Sequence, residues 1–161
     1  MFKFGSRSLK NLEGVHPELV EICDMAIKRT STDFGISEGV RSLERQKKLK
    51  AEGRSQTLNS MHIPQKDGYS WAVDLLGYDS DGKVSWEFPI YFNIMTSIIS
   101  SAHELGYGIR WGGCWHLSNS VLAYPEMTCE EMMDDYISQR KNANPPRKYF
   151  LDLPHIEKSR S

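Results

Sequence analysis

The chain has 161 residues, of which 39% are hydrophobic and 25% charged, and its formal net charge is -1. These values are typical of one globular domain with a core of useful size, and the near-neutral charge argues against a general affinity for nucleic acid or an anionic membrane. Three widely spaced cysteines without a CxxC pair indicate neither a disulfide framework nor a zinc ribbon, so synthesis in a reducing compartment fits best.

The first third of the chain predicts a helix, a strand and a second helix after an irregular arm over residues 1–14. Apolar residues recur three and four positions apart over residues 17–30, as they do in an amphipathic helix. Residues 33–40 alternate apolar and polar side chains, which is typical of a half-buried strand. Ser42 is then a candidate N-cap for a charged helix over residues 43–52.

Arg41 lies at the point where the predicted strand gives way to that helix. A surface ion pair is one interpretation of an arginine in this position. The other is a fixed cation that points into a site, where it could bind a carboxylate or a developing oxyanion.

His62 and Asp74 stand at the two ends of a polar loop that runs into a buried strand. The loop covers residues 54–70, and the strand is predicted over residues 71–76. A carboxylate inside such an apolar run is costly unless it is paired or bound to a cation. A solvated pair or a satisfied core group is the simpler interpretation when these two residues are taken alone.

The middle of the chain predicts a hairpin and then the longest helix. A turn near residue 80 leads to a short returning strand over residues 83–86. The helix from Pro89 to Leu105 carries one apolar face, so it is expected to be the main support of the sheet. A short strand over residues 107–111 follows it, and His116 comes soon after in a loop without any spacing that requires it in a site.

The last third predicts an excursion over residues 117–147, which contains a helix from 129 to 140, and then the final strand. We expect that strand to begin near residue 149, and Pro154 places it at a sheet edge or a bulge, because proline cannot donate to a ladder. His155 and Glu157 then face the same side of the extended chain.

Two nitrogens and one oxygen from distant parts of the chain could hold one metal ion. His62, Asp74 and His155 are of the types that bind a catalytic zinc, which takes three protein ligands and leaves one position for water.

The ordered set of motifs resembles the M15 family of zinc peptidases, which includes VanY-type D,D-carboxypeptidases and phage endolysins that cut between L-alanine and D-glutamate. The zinc pattern of the family is matched by Ser60-x-His62, Gly68, Ala72-Val73-Asp74 and Asp152-x-x-His155. The endolysin branch is matched by Phe2-Lys3-Phe4-Gly5, Pro17-Glu18-Leu19, Glu38-Gly39-Val40-Arg41-Ser42 and Arg110-Trp111-Gly112-Gly113-x-Trp115. The likeness extends from residue 2 to residue 157 with gaps.

This resemblance implies an α+β fold, with a small antiparallel sheet packed on helices and a zinc site at the sheet, as in Hedgehog and D,D-peptidase domains. It implies one peptidase domain over residues 1–161, zinc held by His62, Asp74 and His155, and Asp152 as the proton acceptor; orienting a ligand histidine is the other role open to Asp152. Arg41 would steady the oxyanion or a substrate carboxylate, and Ser60 would bind substrate or fix the loop.

The implied function is a peptidoglycan peptidase of the endolysin type that hydrolyses the L-alanyl-D-glutamate bond of the stem peptide. A D,D-carboxypeptidase that trims terminal D-alanine and a non-catalytic wall-binding module are the alternatives. We expect a monomer without nucleic-acid partners or membrane insertion. Because the N-terminus lacks the apolar segment of a secretory signal, we expect synthesis in a host cytoplasm and release through a membrane lesion made by another protein.

One departure from the family pattern concerns the pocket. His62 and Asp74 are twelve positions apart here, where the family pattern has seven. The five extra residues, placed within 63–69, must loop out if both side chains are to reach one ion, and a loop of that size costs little entropy to lengthen.

Overall fold

Five strands form one antiparallel sheet in the computed structural model, which describes residues 1–160 of the chain. The strands are β1 (Phe34–Glu38), β2 (Ala72–Tyr78), β3 (Val84–Ser85), β4 (Ile109–Trp111) and β5 (His155–Lys158). Strands β1, β2, β5 and β4 lie side by side in that order, and the short β3 pairs with the far end of β2.

Helices accompany this sheet, so the predicted α+β fold with a small antiparallel sheet is confirmed. They are α1 (Ser6–Asn11), α2 (Pro17–Arg29), α3 (Leu43–Ala51), α4 (Phe88–Leu105), a 3-10 turn (Ser120–Ala123) and α5 (Cys129–Lys141). The apolar stripes of α2 and α4 are buried in the core as their periodicity predicts. Among the helices of residues 1–160, none combines the length and the apolar character that a bilayer crossing requires.

The two faces of the sheet have different characters, because successive side chains of a strand point to opposite sides. Val73 and Leu75 of β2 and Ile156 of β5 are buried in the hydrophobic core with α2 and α4. Asp74 lies between Val73 and Leu75, and His155 directly precedes Ile156. Both side chains therefore point to the other face. The sheet thus separates a helix-packed core from a polar face that carries the candidate metal ligands.

A β-bulge in β1 keeps Glu38 on the polar face. Phe34 and Ile36 are buried in the core, and regular alternation would send Glu38 to the same side. The register shifts between Ile36 and Glu38, and Glu38 becomes the cross-strand partner of Asp74. A bulge re-aims a side chain in this way by inserting one unpaired residue.

The prediction of an irregular arm over residues 1–14 is wrong, because helix α1 forms there. The Oγ of Ser8 accepts a hydrogen bond from the N–H of Ile36 at 3.0 Å, and Nδ2 of Asn11 donates to the carbonyl of Ile36 at 2.8 Å. Helix α1 therefore provides hydrogen-bond partners for backbone groups on the outer edge of β1. None of the residues of α1 is buried, so the sequence shows no apolar periodicity that would predict the helix.

The final strand begins later than expected and does not lie at an edge. Residues 149–151 have no regular secondary structure, and β5 starts at His155 between β2 and β4. The placement of Pro154 at an edge or a bulge is wrong because Pro154 precedes the strand, where its missing N–H is not required. Its carbonyl accepts a hydrogen bond from the N–H of Leu75 at 2.9 Å.

Candidate active site

A row of three residues crosses the polar face of the sheet. Asp74 in β2 pairs with Glu38 on one side and with His155 on the other. In the next strand pair, Arg110 of β4 lies opposite Glu157 of β5. Because directly opposed residues have neighbouring side chains, the register alone gathers these charged and ionisable groups.

The three candidate metal ligands converge. One ligand atom from each of His62, Asp74 and His155 lies within 4.8 Å of the others. Nε2 of His62 is 3.2 Å from Oδ2 of Asp74, and Nδ1 of His155 is 3.1 Å from Oδ1 of the same carboxylate. Two nitrogens and one oxygen could therefore hold a metal ion here.

His62 is oriented by the backbone, and this orientation fits a metal ligand. Its Nδ1 lies 2.8 Å from the carbonyl oxygen of Gly39, which can only accept, so Nδ1 carries a proton and, in the neutral ring, Nε2 offers a lone pair. Nε2 is buried and has no hydrogen-bond partner of acceptable geometry within residues 1–160. A buried polar atom without a partner is costly, and a metal ion would satisfy it.

Charge around Asp74 and His155 favours the ionised carboxylate that a metal ligand requires. Burial alone would raise the pKa of the Asp74 carboxyl, but the hydrogen bond from His155 and the close approach of His62 hold that pKa well below the usual range. Burial would lower the pKa of His155, yet its bonds to Asp74 and Glu157 raise it to about 10. In the absence of an ion, a proton on His155 therefore adds to the positive charge that Arg41 brings close to Asp74.

Arg41 lies in the site, but much of its hydrogen-bonding capacity is engaged. Nε and Nη2 donate to the two oxygens of Glu38 at 2.7 and 2.9 Å, and Nη1 donates to Oε1 of Gln46 at 2.7 Å. Nη2 also lies 3.6 Å from Oδ2 of Asp74. Three of the five N–H donors of a guanidinium are thus used within the protein, which fixes the cation and leaves two donors.

Asp152 lines the same cleft as the three candidate ligands. Its main-chain N–H donates to the carbonyl of Gly112 at 2.9 Å, and its carbonyl accepts the N–H of His155 at 3.0 Å, so a tight turn places acid and imidazole together. Burial, with a contribution from the charge of Asp74, raises the pKa of the Asp152 carboxyl against the opposing charge of His155. A carboxylate with a raised pKa is a stronger proton acceptor than an ordinary aspartate.

Ser60 and the loop that follows it frame the cleft. The Oγ of Ser60 accepts the N–H of His62 at 3.2 Å, and Ser60 itself lines the cleft. Residues 65–69 close on themselves, since Gln65 and Tyr69 share a main-chain hydrogen bond of 2.9 Å. The twelve-position interval therefore loops out and leaves His62 and Asp74 in contact.

The glycine pair after β4 serves close packing beside the site. A Cβ on Gly112 would lie 2.1 Å from the carbonyl oxygen of Asp152, and one on Gly113 would lie 2.3 Å from the ring of Trp111. The ring of Trp115 stands 5.4 Å from that of His155, centroid to centroid. The two glycines therefore approach the Asp152 turn and the Trp111 ring.

Part of the cleft wall comes from the excursion. Thr128 and Glu131 form a capping box at the start of α5, and Met132 and Met133 are buried. Tyr136 of this helix lines the cleft, as do Arg140 and Phe150, none of which the sequence singled out. His116 turns instead to Asp135, with Nε2 2.8 Å from Oδ2, and is not one of the candidate metal ligands.

Comparisons with known proteins place this chain among peptidases of one kind. The sequence model of the family described as phage L-alanyl-D-glutamate peptidase matches residues 1–135. The L-alanyl-D-glutamate peptidase of Escherichia phage T5 is 30% identical over 121 residues, which are 73% of this chain and 84% of the relative. The crystal structure of the L-Ala D-Glu endopeptidase ChiX of Serratia marcescens matches with a TM-score of 0.69 at 30% identity.

The structural match extends beyond the part that the family model covers. Asp152 and His155 lie after residue 135, whereas the match to ChiX covers 97% of this chain and 90% of that one. Because so little of the chain is left unmatched, most of the segment after residue 135 falls within the region of structural likeness. On the extent of the sequence match, the chain belongs to the phage L-alanyl-D-glutamate peptidase family.

Proposed function

We propose that this chain is a zinc-dependent peptidase of the endolysin type, which hydrolyses the L-alanyl-D-glutamate bond of the peptidoglycan stem peptide and so lyses the cell wall. The observation that carries the proposal is the convergence of His62, Asp74 and His155 in a cleft that also contains Asp152. The activity named for the phage T5 relative and for ChiX supports the choice of bond.

The proposed zinc ligands are Nε2 of His62, a carboxylate oxygen of Asp74 and Nδ1 of His155. Two imidazoles and one carboxylate form a common ligand set of catalytic zinc. When bound, zinc polarises the scissile carbonyl and lowers the pKa of a bound water to about 7. Glu157 supports this arrangement, because its Oε2 lies 2.9 Å from Nε2 of His155 and keeps that nitrogen turned away from Asp74.

Asp152 is the proposed proton acceptor. It takes a proton from the attacking water and delivers it to the nitrogen of the leaving group as the amide bond breaks. The hydroxide of the water forms the new carboxyl group of L-alanine, which gives its proton to the released amine. The products are a carboxylate and the ammonium group of D-glutamate, so both protons of the water are accounted for. Burial supports this role, since it raises the pKa of the Asp152 carboxyl and makes its carboxylate a stronger base.

Arg41 and Ser60 are proposed to act on the substrate side of the cleft. The two guanidinium donors that Arg41 does not use within the protein are available to a developing oxyanion or a substrate carboxylate. Ser60 holds the backbone of His62 through its Oγ, and we propose that it also lies against the bound peptide.

Product analysis on purified peptidoglycan tests this function. We expect new N-terminal D-glutamate, no release of terminal D-alanine, loss of activity after treatment with a chelator and recovery on addition of zinc. Release of D-alanine would instead identify a D,D-carboxypeptidase, and binding to the wall without any cleavage would identify a wall-binding module.

We further propose that the protein acts as a monomer and reaches the wall from the host cytoplasm after another protein has opened the membrane, as the resemblance to phage endolysins implies. Sedimentation of the purified protein tests the monomer. Expression in a bacterial cytoplasm, with and without an agent that opens the inner membrane, tests the need for a separate release step; lysis without the agent would contradict it.

A further inference from the structure

The cleft that contains the candidate metal ligands carries more positive than negative side chains. It has a volume of about 590 Å³ and is lined by four carboxylates and by six arginines, which are Arg41, Arg45, Arg54, Arg110, Arg140 and Arg160. The chain as a whole has a net charge of -1, so positive charge is concentrated at this place. Such a cleft attracts anionic ligands.

Most of these arginines are already matched by carboxylates of the protein. Four of them form ion pairs: Arg41 and Arg45 with Glu38, Arg54 with Glu52, and Arg110 with Glu157. An arginine that is neutralised by a neighbour contributes less to the binding of an external anion. The cations without such a partner therefore matter most for recognition.

Arg140 is anchored without being neutralised. Its Nε donates to the main-chain carbonyl of Lys148 at 2.8 Å, and no carboxylate in residues 1–160 forms an ion pair with it. The bond to Lys148 holds the side chain at the cleft, and the four N–H groups on its two terminal nitrogens remain for a ligand. A guanidinium that is fixed in this way binds a carboxylate through two parallel hydrogen bonds at reduced entropic cost.

The wall that carries Arg140 is well supported. Helix α5 is anchored by the buried side chains of Met132 and Met133. The segment after it is tied back by the N–H of Phe150, which donates to the hydroxyl of Tyr136 at 3.3 Å. Arg140 is therefore part of a preformed surface of the cleft rather than a free side chain in solvent.

We propose that Arg140 binds a free carboxylate on the D-glutamyl side of the stem peptide and makes the enzyme selective for stems that are not amidated there. The inference rests on the proposed function. Cleavage at L-alanyl-D-glutamate divides the substrate into a side that ends at L-alanine and a side that bears the carboxylates of D-glutamate and of the residue after it. Amidation removes the charge of such a carboxylate and changes its size very little, and a carboxamide cannot accept the bidentate, charge-assisted pair.

Three synthetic muropeptides test the proposal with the zinc-loaded wild-type enzyme. One has free carboxylates, one has the α-carboxylate of D-glutamate amidated, and one has the third residue amidated. We expect one of the two amidations to raise KM about tenfold with little change in kcat, as loss of a charge-assisted hydrogen bond to a partly exposed cation would. Equal KM values for all three peptides overturn the proposal without any variant being needed.

Variants identify the residue responsible. Arg140→Gln should raise KM for the free peptide by a similar factor and abolish the discrimination, and Arg140→Lys should keep part of it. Arg147→Gln is the matched control, since Arg147 is exposed in the same segment and does not line the cleft, and it should behave as wild type.

Two results would contradict the assignment. If Arg140→Gln raises KM equally for free and amidated peptides, Arg140 only supports the segment near Lys148. If Arg140→Gln still discriminates fully between free and amidated peptides, another group binds the carboxylate. Failure to cleave any of the three peptides would remove the proposed function itself, which is a different outcome from cleavage without discrimination.

Discussion

Nε2 of His155 lies 2.9 Å from Oε2 of Glu157, two residues further along the same strand. In an extended strand, residues two apart share a face, so the bond is a direct consequence of β5 geometry. When Nδ1 binds a metal ion, this bond keeps the remaining ring proton on Nε2 and Nδ1 directed at the site. A carboxylate that holds a ligand histidine in this way tunes both its orientation and its basicity.

Removal of this support should weaken metal binding. We expect Glu157→Ala to lower the affinity for zinc by about tenfold to a hundredfold, because ring orientation and tautomer are no longer fixed. Glu157→Gln should have a smaller effect, since its amide oxygen can still accept from Nε2. Competition with a chromophoric chelator measures the affinity, and an unchanged value for Glu157→Ala would show that the ring is held by other contacts.

Substitution of Asp152 should reduce catalysis without reducing metal binding. We expect Asp152→Ala to retain one equivalent of zinc and to lose peptidase activity by about two to four orders of magnitude, the usual contribution of a positioned proton acceptor. Metal analysis on the same preparation is the necessary control. Turnover within a few-fold of wild type would exclude Asp152 as the proton acceptor and leave it an orienting role.

The helices that the sequence predicted correctly are those with an apolar periodicity or an N-cap residue within their own segment. Helices α2 and α4 bury periodic faces, and Ser42 caps α3 as predicted by accepting the N–H of Arg45 at 3.1 Å. Helix α1 was missed because its order depends on hydrogen bonds to β1, residues distant in sequence. No local signal reports such a contact.

The site likewise contains residues that local sequence predicts and residues that only the packing brings in. The three candidate ligands and Asp152 were recognisable because a motif records them together. The bulge that turns Glu38 to the polar face breaks the alternation on which the strand prediction depended. Arg140 enters the cleft only through the way the excursion packs, and periodicity within α5 does not specify which part of the sheet lies opposite it.

The close approach at Gly112 should make this position sensitive to a single methyl group. In Gly112→Ala the Cβ would stand 2.1 Å from the carbonyl oxygen of Asp152, so the turn that carries Asp152 and His155 must move. Displacements of about 1 Å at a catalytic group can cost about a hundredfold in rate, and we expect zinc affinity to fall as well. Gly5→Ala is a matched control, since a Cβ there meets nothing within 4 Å and its φ is -81°.

Measurements of kcat and zinc affinity on both glycine variants test this prediction. Gly5→Ala should leave both quantities near wild type. Wild-type values for Gly112→Ala would mean that the backbone relaxes without moving the turn.

The ion pair between Arg41 and Glu38 should make part of the stability dependent on pH. Burial would raise the pKa of Glu38, but the two hydrogen bonds from Arg41 at 2.7 and 2.9 Å lower it below the usual range. Since the folded pKa lies below the unfolded value of about 4.3, the stabilisation is complete above that value and is lost as the pH falls through the folded pKa. The difference in free energy of unfolding between wild type and Glu38→Gln should therefore be largest near neutrality and shrink below about pH 4.

Urea unfolding at a series of pH values, with chelator present so that metal occupancy stays constant, measures this difference. Asp24→Asn is the control, because Asp24 pairs with Lys28 at 2.7 Å on the exposed face of α2, where an ion pair contributes little. A gap between wild type and Glu38→Gln that stayed constant across the acid range would contradict the prediction. It would mean that the substitution destabilises the protein through shape and hydrogen bonding, and that the charge of Glu38 is not what holds Arg41 beside Asp74.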